Sequence, residues 1–350
     1  MKISIGTPPF ETMAIVDTGS SETWFQCSDC VECYNQSSPK FDPSNSSTLR
    51  WVDCRSDECS RLSTPGCTIN KDCTYRVWYG DKSTSYGKLA SDTITMNSTS
   101  RTTSVFPNML FGCGVENIGL WPLEGGGLVG LTGNEMSLIS QLGITRRFSY
   151  CFNAHWSTEG AGTGRLYLGR PAPFIGRRSP LSVLTAQGSP SSLYFVSLED
   201  ISVGSERLQV PRGTFDRKSD GSNGIVIDSG SSFYLNSTAL DMLIKKLKEV
   251  IKLEEVKNGS TPLCYNGTDE DLVYEVPSIT LHFTNLDVIL PPFNTFAIFP
   301  PDSICLVMDR VDEGEFSVIG SYVQQNMNVG LDLEREVFTM APADCTHLPV

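Results

Sequence analysis

The stretch Ala14-Ile15-Val16-Asp17-Thr18-Gly19-Ser20 returns, 211 positions later, as Ile225-Val226-Ile227-Asp228-Ser229-Gly230-Ser231. In each copy an apolar run of β type delivers an aspartate into a tight glycine turn. A carboxylate at the end of a buried strand is costly unless it is hydrogen-bonded. Candidate donors stand beside each one: the hydroxyls of Thr18 and Ser20 or Ser229 and Ser231, and turn amides that Gly19 and Gly230 free to point inward. A single such turn is ordinary Asp-Gly chemistry. Two with the same lead-in imply two matching half-structures. A second correspondence follows in the same order, Leu128-Val129-Gly130 in the first half and Val318-Ile319-Gly320 in the second. Repetition of two features in order is the mark of a duplicated β unit.

The rest of the chain agrees with a mainly β protein. Its 350 residues are 39% hydrophobic and 19% charged, rich in Ser, Thr, Gly and Pro, with little sustained helical period. That length buries a substantial core in one bilobed domain or two smaller ones. A net charge of −13 argues against a polyanionic partner, and Arg146-Arg147 and Arg177-Arg178 are too short to offset it. Nucleic-acid binding is therefore not expected. No apolar run reaches the length of a membrane span.

Residues 2–16 read as a strand pair turning at Gly6-Thr7-Pro8-Pro9. Trp24 follows Asp17 by seven positions. Tyr75-Arg76-Val77-Trp78-Tyr79, the turn Gly80-Asp81-Lys82-Ser83 and a run through Thr93-Ile94-Thr95 describe a hairpin with an aromatic near its tip, a form suited to a lid. The glycine-rich residues 125–130 lead into a short helix candidate at 137–142. Leu240, Leu243, Ile244, Leu247 and Ile251 share one face of a helix whose start Ser237 or Thr238 signals. This helix reads as surface packing. Pro, Arg, Gly and Ser cluster over 171–190, which places a connection at 173–189 between lobes spanning 1–172 and 190–350.

Twelve cysteines are present, eight of them in the first third, where residues 27–73 read as an inserted loop region stapled by disulfides rather than by a core. Cys27-x-x-Cys30-x-x-Cys33 also has zinc-like spacing, the competing explanation. His155, His282 and His347 lie far from that cluster, and sequons start at Asn35, Asn45, Asn97, Asn236, Asn258 and Asn266. Together these favour disulfides and a secretory route, with no metal or cofactor. Residues 1–20 contain no signal-peptide pattern.

These motifs together resemble the pepsin-like aspartic endopeptidases, and among them the plant nepenthesin-like group. The resemblance runs from Ile3-Ser4-Ile5-Gly6-Thr7-Pro8-Pro9 through both aspartate turns to Gln324-Gln325-Asn326-Met327-Asn328-Val329-Gly330 and Ala341-Pro342-Ala343-Asp344-Cys345. It implies an all-β, bilobed fold with pseudo-twofold related lobes and a few short helices, in which Asp17 and Asp228 are catalytic. Thr18, Gly19, Ser20, Ser229, Gly230 and Ser231 would support that dyad. Tyr79 and Gly80 would belong to a substrate-binding flap, with Trp24 the hydrogen-bonding partner of Tyr79. The same resemblance implies disulfides joining Cys27 with Cys30, Cys33 with Cys113, Cys54 with Cys73, Cys59 with Cys67, Cys151 with Cys345 and Cys264 with Cys305.

The expected activity is hydrolysis of protein or peptide substrates at acidic pH, by a monomer in an extracellular (apoplast) or vacuolar setting. Two carboxyls sharing one proton would activate a water, with no covalent intermediate. The alternative is an inactive binding protein on the same scaffold, like the plant xylanase inhibitors. Three stretches depart from the family pattern. Lys82 stands where the flap turn usually has Gly, Glu22 where an apolar residue is common, and Ser231-Ser232-Phe233 where Thr-Thr-Leu is commoner.

Overall fold

Alternating apolar runs separated by Gly, Pro and Asn turns become strands throughout the computed structural model. It describes every residue except 99–101, 120, 123–124, 154–163, 186–191, 313 and 349–350. The chain is all-β, and of four α-helices among the described residues only Ser237–Val250 is longer than six residues. It divides into two compact units, Met1–Ile144 with Pro190–Ser192, and Thr145–Ser189 with Leu193–Val350.

The first unit is built on an eleven-stranded sheet. Its long ribbon, Thr84–Asn97 against Thr103–Ile118, is antiparallel over most of its length. Trp24–Gln26 adds in parallel to the second of these strands. Gly127–Gly130 then lies between the two strands that flank the first aspartate turn, parallel to Ile15–Asp17 and antiparallel to Trp24–Gln26. Trp24, Tyr75, Leu89, Leu110, Leu128 and Met136 form the core beneath it.

The cysteine-dense insert contributes to that core: Val52, Cys59 and Leu62 are buried in the same cluster, and Phe41 is buried nearby. The expectation of a region held by disulfides alone is corrected. Four apolar side chains scattered among polar residues carry too little periodicity to be recognised, yet each fills core volume.

Six disulfides are present and no described cysteine is free, but four of the pairs implied by the resemblance (Cys27–Cys30, Cys33–Cys113, Cys54–Cys73 and Cys59–Cys67) are corrected. Strand register is the reason. Cys113 lies opposite Phe25 in a parallel pair, which brings Cys27 within a Cα separation of 5.5 Å of it. Cys30 and Cys33 then close on each other, at 6.1 Å. Cys67 and Cys73 face one another across two strands, and their sulfurs go to different partners. Buried Cys73 joins Cys59 at the buried face of a helical turn, and exposed Cys67 joins Cys54. Cys151 pairs with Cys345 and Cys264 with Cys305.

The second unit carries a ten-stranded sheet and two of four strands. Its sheet includes Arg147–Cys151 and Arg165–Leu168, because the first pairs with both Met327–Asp332 and the second. A boundary at 172, as the sequence suggests, falls after these two strands. Sequence order hides a pairing between positions 151 and 328. Residues 186–189 of the expected connection lie outside the described residues. The helix Ser237–Val250 buries Ala239, Leu240, Leu243 and Leu247. Its N-cap is Asn236, one residue before the predicted start, whose Oδ1 accepts from the amides of Thr238 and Ala239 at 3.0 and 3.4 Å.

Candidate active site

The strand pattern around Asp17 recurs around Asp228 in the second unit. Ser317–Ile319 runs parallel to Ile225–Ile227 and antiparallel to Phe233–Asn236. Each aspartate therefore emerges between two strands that are held apart by a third. The central strand ends in glycine for a steric reason. A Cβ on Gly130 would stand 2.5 Å from the backbone carbon of Ser21, and one on Gly320 would stand 2.2 Å from that of Ser232. No other residue fits either crossing without moving backbone.

Within each turn the aspartate folds back on its own amides. Gly19 N donates to Asp17 Oδ1 at 2.8 Å, and Gly230 N donates to Asp228 Oδ1 at 2.8 Å. Ser20 Oγ donates to Asp17 Oδ2 at 2.6 Å. Such bonds hold a carboxylate in one orientation and offset part of its desolvation. The turns are pinned further to the third strand or the loop after it. Leu131 N donates to Asp17 O and Thr132 N to Ser20 O, while Asp228 N donates to Ile319 O and Ser321 N to Ser231 O. Gln324 Nε2 adds a bond to Ile319 O. Thr18 and Ser229 are buried at 0% and 7% exposure, so neither hydroxyl is a solvent-facing turn group.

In the first unit a hairpin, Cys73–Trp78 with Thr84–Asn97, carries Tyr79 just past its paired strands. Tyr79 Oη accepts a 2.7 Å hydrogen bond from Trp24 Nε1. Burial pushes the Tyr79 hydroxyl well above its usual pKa; the Trp24 bond opposes the shift and the nearby Asp17 charge adds to it. Tyr79 thus stays protonated in the vicinity of Asp17. The tip is a three-residue loop in which Tyr79 N donates to Ser83 O and Lys82 N to Tyr79 O, both at 2.9 Å. Lys82 occupies the left-handed position at φ 71°. Hairpins of this form favour Gly there. Gly80 sits where an added Cβ would meet nothing within 4 Å. Asp81 does not pair with Lys82: its two oxygens take Ser83 N and Ser83 Oγ, each at 2.8 Å.

Sequence reasoning passed over Trp121. Its ring meets Trp24 edge-on at 5.1 Å and Tyr79 at 5.2 Å, and Tyr34 packs against it at 5.8 Å. The only signal was a Trp-Pro pair shortly before the glycine run. Glu22 is 5% exposed between the Asp17 turn and Trp24, and accepts a long bond, 3.4 Å, from Ser63 N. Desolvation raises its pKa, and the Ser63 and backbone bonds oppose that shift.

Known proteins match this sequence along nearly its whole length. A probable aspartic protease of Arabidopsis thaliana is 36% identical over 363 residues, spanning 99% of this chain and 80% of its own length. Nepenthesin-1, an aspartic proteinase of Nepenthes gracilis, is 36% identical over 349 residues, with 99% and 77% covered. The chain belongs to the pepsin-like aspartic endopeptidase family, in its plant nepenthesin-like group. Two family models match this nepenthesin-like chain, described as xylanase inhibitor N-terminal over residues 1–170 and xylanase inhibitor C-terminal over 193–342. Among solved structures, the crystal structure of edgp superposes with a TM-score of 0.77 at 20% identity, covering 98% of this chain and 91% of that one. Basic 7S globulin from soybean gives 0.73 at 19%, covering 97% and 90%. At that identity the two structures show the fold alone.

Proposed function

We propose that this nepenthesin-like chain is an aspartic endopeptidase in which Asp17 and Asp228 act together on one water molecule. The observation that carries the reading is the duplicated turn, in which each aspartate bonds the amide two residues on at the same distance, inside the same three-strand frame. Two carboxyls brought to about 3 Å cannot both ionise cheaply, so the pair holds one proton. The ionised member takes a proton from the water as its oxygen attacks the peptide carbonyl. The protonated member donates to the developing oxyanion. Collapse of the tetrahedral intermediate transfers a proton to the leaving amine and breaks the C–N bond. Thr18, Ser20, Ser229 and Ser231 hold the two carboxyls in orientation, Gly19 and Gly230 supply amides, and Tyr79 and Gly80 belong to a flap steadied by Trp24. The disulfides and sequons fit passage through the secretory pathway, to the cell exterior or the vacuole.

The family descriptions favour one other reading, a xylanase-inhibitor-like binding protein. Incubation of the purified protein with a denatured protein substrate at about pH 3–5, with and without a statine inhibitor, separates the two. Statine-sensitive cleavage supports the peptidase. No cleavage, combined with inhibition of a xylanase, supports the binder.

A further inference from the structure

One end of the second unit's ten-stranded sheet gathers arginines from three neighbouring segments. Arg147 begins the strand Arg147–Cys151, Arg170 follows Arg165–Leu168, and Arg335 lies in the turn after Met327–Asp332. With Thr145, Asp332 and Glu334 they line a cavity of about 400 Å³. Here the carboxylates are already engaged. Asp332 Oδ1 accepts from the amides of Glu334 and Arg335 at 3.2 and 3.0 Å, and Glu334 Oε1 accepts from Arg146 N at 3.2 Å. Asp332 Oδ2 stands 3.8 Å from the Arg147 guanidinium, an ion pair without a hydrogen bond.

Arg147 is held in place with part of its hydrogen-bonding capacity unused. Its guanidinium lies 4.1 Å over the Phe174 ring and donates one bond, 2.9 Å, to Ala172 O, while its buried Nε has no partner among the described residues. Arg170 and Arg335 have no ion pair among the described residues. A fixed guanidinium flanked by two uncommitted ones in a concave site matches the forked donor geometry that oxyanions require.

We propose that this cavity is a binding site for a multivalent oxyanion of the phosphate or sulfate type, gripped by Arg147, Arg170 and Arg335. The volume admits an inorganic anion with bound water or one carried on a monosaccharide. The site lies wholly in the second unit and is independent of the peptidase reading. Occupancy would tie the strand Arg147–Cys151 to the turn after Asp332, and so stabilise that end of the sheet.

Thermal unfolding and calorimetric titration of the full chain test this, with inorganic phosphate, glucose 6-phosphate and, as controls, glucose and potassium chloride at matched ionic strength. The expected result is saturable binding with a rise in Tm of about 2 °C at tenfold excess over Kd. Arg170→Gln/Arg335→Gln should bind at least about tenfold more weakly while unfolding at the wild-type temperature in chloride. Tighter binding of glucose 6-phosphate than of phosphate assigns a sugar carrier, and equal binding assigns the free anion. Phosphate should also slow phenylglyoxal modification of Arg170 and Arg335, read by peptide mass. Equal Tm shifts in wild type and double variant, with no protection from phenylglyoxal, would overturn the proposal.

Discussion

At Asp17 the carboxyl is 5% exposed and takes bonds on both oxygens, under a hairpin whose Tyr79 bonds Trp24; at Asp228 the matching turn leaves the aspartate half-buried and Gly230 exposed. The frames beneath share one strand pattern and the same bond from the glycine amide to the aspartate. Their surroundings are not: the first unit builds an aromatic cluster of Tyr34, Tyr79, Trp24 and Trp121 beside its turn, and the second follows its turn with a strand and the helix Ser237–Val250. The difference separates two jobs. Strand crossings fix where each carboxyl stands, and so admit almost no variation. What lies around the carboxyl tunes its setting, and here the two units have diverged.

The largest effect expected is on chemistry. Asp17→Asn and Asp228→Asn should each reduce peptide hydrolysis to background with little change in Tm, because either change removes one half of an acid–base pair. A clean variant of either kind that retains wild-type turnover would break the equivalence of the two turns. Next in size is the frame itself. Gly130→Ala and Gly320→Ala should each cost about 2–3 kcal/mol in denaturant unfolding, since each new methyl meets backbone rather than a movable side chain. If only one is costly, the frames are less alike than their hydrogen bonds indicate.

Glu22 sharpens the contrast, because a buried carboxyl with a raised pKa sits beside the first turn. Its protonated form is favoured by the fold, so its contribution to stability is complete below the unfolded value of about 4.3 and is lost as pH rises through the higher folded value. Glu22→Gln should match wild type at acidic pH and become the more stable protein as pH rises toward neutrality. A constant difference in Tm across that range would show that Glu22 does not titrate in the fold. The smallest effect belongs to the hairpin tip. Lys82→Gly relieves a left-handed lysine and should raise stability by no more than about 1 kcal/mol, with a faster flap if its opening limits turnover.

The parts of this molecule legible in the sequence were those in which chemistry and backbone demand the same residue. Asp-Thr-Gly-Ser and Asp-Ser-Gly-Ser needed acid, hydroxyl and glycine at fixed offsets. Gly130 and Gly320 had to be glycine, and Leu240, Leu243 and Leu247 repeat at the helical period. The turn at Lys82 was legible too, although the residue in it departs from what the backbone favours. Long-range choices were not legible. Cys27 can meet Cys113 only because a parallel strand register brings them level, and no local pattern encodes a partner 86 residues away. The placement of residues 147–151 in the second unit is of the same kind. Trp121 was missed because its value lies in three rings that converge on it from distant positions.

The bond between Cys151 and Cys345 closes most of the second unit into a covalent ring whose ends are 194 positions apart in sequence, and Asp228 lies inside that ring. Surface loops are where proteolytic nicking concentrates. One cut anywhere within the ring opens it into a longer line without releasing a fragment, so a singly nicked chain keeps its mass on a non-reducing gel and separates only when thiol is added. Loss of material requires a second cut in the same molecule, and the strand pairing of Arg147–Cys151 with Met327–Asp332 holds the ring's two ends side by side in the meantime.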